Sequence, residues 1–429
     1  MTPARAFLQS LETFGIKLGL DQIRGLVAAL GHPDRAFASI VIAGTNGKGS
    51  VTAMTERGLR AAGYRTGRYT SPHLVDLEER FVVDGRALSP ADVDRAAARI
   101  QEASRALPAP PSYFEATTAL ALEAFREARI DIAVLEVGLG GRLDATNVVS
   151  PVAVGITAID FDHQEYLGHT IEAIAGEKAG VIKPGIAVVL GGNRPEADDV
   201  IAARCADVGA KLIRAGDGVE ARSTLAGFRT NLTLRTPVAS YGPLALGLNG
   251  RHQVDNAITA VRLLEVLDGL KFGAGPDEGR RRIGPDAIAT ALVDVTWPAR
   301  LEWLRFEGAD ILLDGAHNPA GASALASYLH DAVGRRVPMV IGAMRDKDIG
   351  AMLAAWSDCG SQFVFTAPDS PRASPPDALV AQAAITAPGV PATAMMPAID
   401  AVRHAAKLGT PVVVAGSLYL AGEVRARIV

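Results

Sequence analysis

The sequence predicts an α/β protein of two domains. Three features lead there. Short runs rich in Val and Ile recur before glycine-containing loops, helical spacing follows each run, and the series restarts in the last third of the chain. A buried parallel strand with a crossover helix reads this way, because both of its faces are covered. At 429 residues the chain also exceeds the roughly 100–200 residues of one ordinary domain.

In chain order, the spacing predicts strands at Ser39 to Ala43, Asp131 to Val137, Val152 to Ile159 and Ala187 to Leu190. A second set follows at Asp310 to Leu313, Val337 to Ile341, Gln362 to Phe365 and Pro411 to Ala415. Between the sets, Ala221 to Leu246 alternates Thr, Leu and Tyr with polar residues, which predicts antiparallel strands on the rim of the first domain. An Arg- and Gly-rich stretch, Phe272 to Pro285, then a helical pattern, then Trp297 and Pro298, place the boundary near Thr296. The domains expected are 1–296 and 297–429.

Composition narrows the partners. Hydrophobic residues at 48% and charged residues at 21% exclude a disordered chain. With 43 basic and 47 acidic residues, no net field favours nucleic acid or an anionic membrane, so small molecules are the expected partners. Cys205 and Cys359 lack metal or redox spacing, and no segment approaches the roughly 18 apolar residues of a membrane helix. A cytoplasmic protein is expected.

The strongest local signal is Gly44, Thr45, Asn46, Gly47, Lys48, Gly49, Ser50, set between a β-type run and the helical pattern Val51 to Ala62. Strand, glycine loop and helix aim backbone N–H groups and a helix N-terminus at one point, which suits phosphate oxygens. Lys48 then reaches the terminal phosphates, and the Ser50 hydroxyl reaches a magnesium ion. No Gly stands at Ile42 and an extra Gly49 separates Lys48 from Ser50, so the common P-loop spacing is not met. The bland alternative is a glycine turn with a solvated lysine.

Glu136 closes an apolar run and so sits at the carboxyl edge of a parallel strand, where α/β sheets place ligands and where a carboxylate suits a metal. The glycines after it, Gly138 to Gly141, fail the dinucleotide pattern because Leu143 holds the third glycine position. The next run leads to Asp160, Phe161, Asp162 and His163, making His163 a candidate second metal ligand. Lys178 lies on a predicted helix, Ile171 to Val181. Periodicity alone reads it as a surface lysine, although a lysine in a chain with 8 lysines and 35 arginines is mildly informative, since lysine loses its proton when buried.

Taken together, Gly44 to Ser50, Thr70 to Leu74, Glu136 to Asn147, Asp162-His163 with Leu167-Gly168, Glu177 to Gly180 and Asp314 to Pro319 closely resemble the folylpolyglutamate synthase/dihydrofolate synthase family of the Mur ligase superfamily. The resemblance runs from Ile16-Lys17-Leu18-Gly19-Leu20 to Ser417-Leu418-Tyr419-Leu420. It implies an N-terminal ATPase domain with a mostly parallel sheet and a phosphate loop, and a smaller Rossmann-like C-terminal α/β domain on the glutamate side. The activity implied is an ATP-dependent amide ligase that adds L-glutamate to dihydropteroate, to reduced folates, or to both. The protein is expected to be a monomer.

By the same resemblance, Ser50 and Glu136 match ligands of a first Mg2+, His163 matches a ligand of a second, and Lys178 matches a carbamylated lysine that supports the second ion. Asn256, in Arg251-His252-Gln253 to Asn256, matches a nucleotide contact; Arg300 matches an arginine on the ATP phosphates; Asp314 and His317 complete that set. Ser71, Pro72, His73, Arg80, Phe114 and Asp144 match positions of the folate pocket. Asn318 and Pro319 also read as a helix N-cap and first residue whatever the ligand. Since the second domain must reach ATP held on the first, closure about Thr296 is expected. The alternatives are a Mur-type ligase of peptidoglycan precursors and a P-loop nucleotide switch without ligase activity.

Overall fold

The computed structural model describes residues 2–12, 17–270 and 281–429. Ile16 and most of the Arg- and Gly-rich stretch after Phe272 lie outside them. By its contacts the chain separates into two units: Met1–Arg222 with Thr233–Leu244 and Asp255–Val295, and Thr296–Val429 with Ser223–Leu232 and Ala245–Val254.

The first unit is built on an eight-stranded sheet: β1 (Ala38–Ala43), β2 (Thr66–Tyr69), β3 (Phe81–Val83), β4 (Arg86–Ala87), β5 (Ile132–Glu136), β6 (Ala153–Ile156), β7 (Ala187–Leu190) and β8 (Lys211–Arg214), in the order β4-β3-β2-β5-β1-β6-β7-β8. From β2 to β8 across the sheet the pairs are parallel, while β3 and β4 form an antiparallel edge. Every residue of β5 and β6 is buried, which is why both strands are continuous apolar runs in sequence. The third predicted strand stops at Ile156 rather than Ile159. Thr157 still donates to the Ala43 carbonyl (2.9 Å), but Ala158 turns its carbonyl to the phosphate loop.

Helices cover both faces, and neighbouring residues of β2 show how. Arg68 faces the helix Lys48–Ala61, where its guanidinium lies 4.0 Å from Glu56. The next residue, Tyr69, points the opposite way and shares a hydrogen bond of 2.9 Å with Thr117 on the helix Tyr113–Glu127. The apolar core of this unit runs through Val41, Leu135, Phe81, Phe125 and Ile174.

A three-stranded sheet follows, β9 (Glu220–Ala226), β10 (Arg229–Arg235) and β11 (Ser240–Ala245), in the order β11-β10-β9, and its residues are divided between the two units. The two-residue link between β9 and β10 leaves room only for an antiparallel hairpin.

The second unit holds a six-stranded sheet: β12 (Glu302–Phe306), β13 (Ala309–Leu313), β14 (Val337–Ile341), β15 (Gly360–Phe365), β16 (Ala392–Ala394) and β17 (Val412–Ala415), in the order β12-β13-β17-β14-β15-β16. It is parallel except for β12, an antiparallel edge strand. Trp356, fully buried beside Phe363 and Phe365, donates its indole N–H to Ala322 O at 3.1 Å and so keeps its polar atom satisfied.

Candidate active site

The phosphate loop forms where β1 ends. Thr45 and Asn46 N–H both donate to Ala158 O (2.7 and 3.2 Å), and the Thr45 hydroxyl exchanges hydrogen bonds with the Asp160 backbone (3.0 and 3.1 Å), which pins the loop to the end of β6. Gly47 stands at φ +88 as N-cap of the helix Lys48–Ala61. A Cβ there would lie 2.2 Å from Asn256 Oδ1, and one on Gly44 would lie 1.9 Å from Thr157 Oγ1. Both glycines are therefore required by close approach as well as by backbone angle. The first turn, Lys48, Gly49 and Ser50, leaves its N–H groups directed out of the helix end, where an anion is stabilised. Lys48 Nζ folds back onto Thr45 O at 3.0 Å, and Ser50 is buried.

Glu136 ends β5 in register with Ile42 of β1, so the loop and this carboxylate share one sheet edge. It is buried and accepts from Ser71 N–H at 3.3 Å. Lys178 is not a surface lysine. It is 4% exposed on the helix Ile171–Ala179 and donates from Nζ to Gly44 O at 2.8 Å. Burial, and then the like charge of Lys48, draw its pKa down to about 7, against the opposing pull of Asp162 and Asp144.

His163 takes a left-handed conformation, φ 49, before the short helix Gln164–Leu167, with Nε2 3.9 Å from Asp162 Oδ1. Among the described residues no three His, Cys, Asp or Glu side chains gather as a self-sufficient metal cluster. A hydroxyl (Ser50) and a carboxylate (Glu136), and separately an imidazole (His163), are donors of the kind that hard cations with phosphate and water ligands accept.

The segment from Thr70 to Arg80 closes on itself. Its Ser71–Pro72 peptide is cis. Glu79 accepts from the N–H groups of Leu74, Val75 and Asp76 at 2.7, 3.0 and 3.0 Å. Arg80 is buried over the Tyr113 ring and donates from Nε to His73 Nδ1 at 2.8 Å. Burial and the Arg80 charge lower the His73 pKa to about 4, so the ring is a neutral acceptor. Gly138 passes so close to Phe114 that a Cβ would lie 2.5 Å from the ring. Asp144, fully buried, accepts from Leu139 N–H, Thr146 N–H and the Thr146 hydroxyl (2.8, 3.0 and 2.6 Å). Its oxygens hold the glycine loop after β5 in shape.

In the second unit, Arg300 stands between two buried non-glycine residues at positive φ, Ala299 (+55) and Leu301 (+50). Three hydrogen bonds hold that backbone: Gly315 N–H to Ala299 O (2.8 Å), Ala299 N–H to Glu302 (2.9 Å) and Leu301 N–H to Asp314 (2.9 Å). Strain of this kind persists only where surroundings enforce it. Asp314 also accepts from Ala316 N–H at 2.9 Å; burial raises its pKa, with the Arg300 charge opposing. His252 is half-buried; desolvation, and then the Arg300 charge, lower its pKa to about 4. His317 Nδ1 lies 2.8 Å from Gly315 O, and Asn318 caps the helix Pro319–Ala332 through Gly321 N–H at 2.8 Å.

Comparison with known proteins agrees over nearly all of the chain. Residues 42–264 match the Mur ligase middle domain, and residues 299–418 match the Mur ligase glutamate ligase domain. A dihydrofolate synthase/folylpolyglutamate synthase of Mycobacterium tuberculosis is 40% identical over 382 residues, 84% of this chain and 76% of its own. The Bacillus subtilis protein of the same name is 35% identical, covering 86% of each. The chain belongs to the folylpolyglutamate synthase/dihydrofolate synthase family of Mur ligases. Among solved family structures, M. tuberculosis folylpolyglutamate synthase complexed with ADP and AMPPCP superposes with a TM-score of 0.90 at 34% identity over 99% of both chains. Escherichia coli FolC in complex with DHPP and ADP gives 0.86 at 30% identity over 100% of this chain and 98% of that one.

For this Mur ligase the first unit brings together the phosphate loop, Lys178 and Asn256, with Glu136 on the same sheet edge, whereas Arg300, Asp314 and His317 are grouped in the second unit. The sequence reading missed the buried Glu56 and the half-buried Arg68. Arg68 lies in Thr66-Gly67-Arg68-Tyr69, which has no apolar run to mark it as a strand.

Proposed function

We infer that the protein is an ATP-dependent carboxylate–amine ligase that joins L-glutamate to dihydropteroate, to reduced folates, or to both. The observation that carries this reading is the phosphate loop locked by Gly44 and Gly47, with the Lys48 amine over it and the Glu136 carboxylate at the same sheet edge. The relatives' names supply the acid and the amine.

A carboxylate is too poor an electrophile to acylate an amine at neutral pH. In the proposed sequence it attacks the γ-phosphorus of ATP, ADP departs, and the acyl phosphate is attacked at its carbonyl carbon by glutamate's free amine. Phosphate leaves with the acyl C–O bond, and the nitrogen loses its proton. The helix N-terminus and the loop N–H groups hold the phosphates. Lys48 exchanges Thr45 O for a phosphate oxygen, adding charge where the transferring group develops it. Ser50 and Glu136 are the residues to hold a first magnesium ion; His163 and a carbamylated Lys178 are those for a second. Bound there, the ions supply charge that offsets the triphosphate.

Carbamylation joins the neutral Lys178 amine to carbon dioxide and releases one proton. A pKa near 7 makes that neutral amine available, and the new carboxylate exchanges the Gly44 O contact for a cation. Asn256 contacts the nucleotide, Arg300 is the permanent charge for the phosphoryl group, and Asp314 and His317 act with it. Ser71, Pro72, His73, Arg80 and Phe114 line the folate pocket, with Asp144 shaping the loop beside it. The protein works as a cytoplasmic monomer.

The test is ADP release with ATP, magnesium and glutamate, run separately with dihydropteroate and with tetrahydrofolate. Amide and phosphate are expected in equal amounts with at least one of the two acids. ADP release that needs neither acid nor glutamate would point to a nucleotide switch, and turnover confined to UDP-muramoyl acids would point to a cell-wall ligase.

A further inference from the structure

Four ionisable side chains, Glu56, Arg60, Arg68 and Glu136, lie on one side of the first unit's sheet. Glu56, on the phosphate-loop helix, is 1% exposed and accepts from the Thr66 hydroxyl (2.6 Å) and from Arg60 Nε (3.0 Å). Arg68 reaches the same carboxylate at 4.0 Å, with its side chain 17% exposed. Two guanidinium groups thus reach one buried carboxylate, in a setting where charge is costly to bury.

Register places the second carboxylate. Arg68 of β2 is paired with Val134 of β5, and parallel partners project to the same face. Glu136 lies two residues beyond Val134, so it too projects to the face carrying Arg68 and the helix Lys48–Ala61. The fields of Glu56 and Glu136 both favour the charged form of the Arg68 guanidinium, against the larger effect of burial. Glu56 is shared with Arg60 and Thr66, and Glu136 is the second carboxylate whose field reaches Arg68.

We propose that Arg68 is a positioning residue that holds the Glu136 carboxylate at the sheet edge before a cation arrives and, by its permanent charge, limits how tightly Glu136 then holds that cation. A divalent ion at Glu136 meets a fixed positive charge on the same face of the sheet, and in a buried setting that repulsion is poorly screened. The carboxylate is kept oriented before the ion binds, and the bound ion remains exchangeable. The inference rests on the reading of Glu136 as a cation ligand.

The experiment is a titration of the full-length protein with Mn2+, free ion being read by its electron paramagnetic resonance signal without nucleotide and again with AMPPCP. Arg68→Met is expected to tighten Mn2+ binding by about fivefold or more, because it removes like charge while keeping an apolar stem of similar length. Arg68→Lys, which keeps the charge, is expected to stay within about twofold of the natural protein. Unchanged or weaker Mn2+ binding in a folded Arg68→Met, with circular dichroism and AMPPCP affinity retained, overturns the proposal. Should Arg68→Met unfold, Glu56→Gln with Arg68→Met removes one charge of each sign from the cluster, and the same tightening is required of it. Glu136→Gln separates the two failures: if it leaves Mn2+ affinity untouched, the ligand assignment itself is wrong.

Discussion

Burial takes the Lys178 ammonium out of water and Lys48 adds like charge, so the amine titrates near pH 7 instead of 10.5. Between those values the unfolded chain binds a proton that the folded chain does not, so stability rises with pH across that window. In buffer free of carbon dioxide, the natural protein is expected to gain on Lys178→Met by up to about 1.4 kcal/mol per pH unit between pH 7 and 10, read by urea unfolding. Parallel pH profiles for the two proteins would show that the amine is not buried as described. This lysine also marks a limit of residue-level reading. Glu177-Lys178-Ala179 on a helix looks like solvated surface, and what buries it is the loop after β1, more than a hundred residues earlier in the chain. Family resemblance singled it out where periodicity did not.

At the scale of elements, legibility followed burial. β1, β5, β6 and β7 lie inside the parallel sheet, are covered on both faces and announce themselves as Val/Ile runs. β2 and β12 do not: Thr66–Tyr69 mixes polar and apolar residues, and Glu302–Phe306 is a half-exposed edge whose strand character comes from its antiparallel partner β13. The phosphate loop was legible because its parts are contiguous, although the reason Gly47 must be glycine is not local. Gly47→Ala forces a side chain into φ +88 and against Asn256 Oδ1. It is expected to cost about 1–3 kcal/mol of stability and to weaken AMPPCP binding at least about tenfold, measured by urea unfolding and calorimetric titration. Retention of both properties would mean that the turn is not needed to shape the anion site.

For the whole molecule, binding at the loop must appear as stability of the first unit. AMPPCP with magnesium at a hundred times its Kd is expected to add about 2.7 kcal/mol, seen as a higher melting temperature for the natural protein and as no shift for Lys48→Ala. An equal shift in both would place the nucleotide elsewhere. Contiguous chemistry needs only neighbours in the chain, so the sequence by itself determined the α/β class, the glycine–lysine–serine loop, the strand-end Glu136, the Asn318 cap and, by resemblance, the family. Tertiary structure alone decided that Lys178 is buried against Gly44, that Asn256 and Thr157 leave no room beside the loop glycines, and that Asp314 holds the strained Leu301 beside Arg300. Each of these depends on segments far apart in sequence meeting within a few ångströms. No local pattern encodes that distance, because strand pairing and helix packing set it.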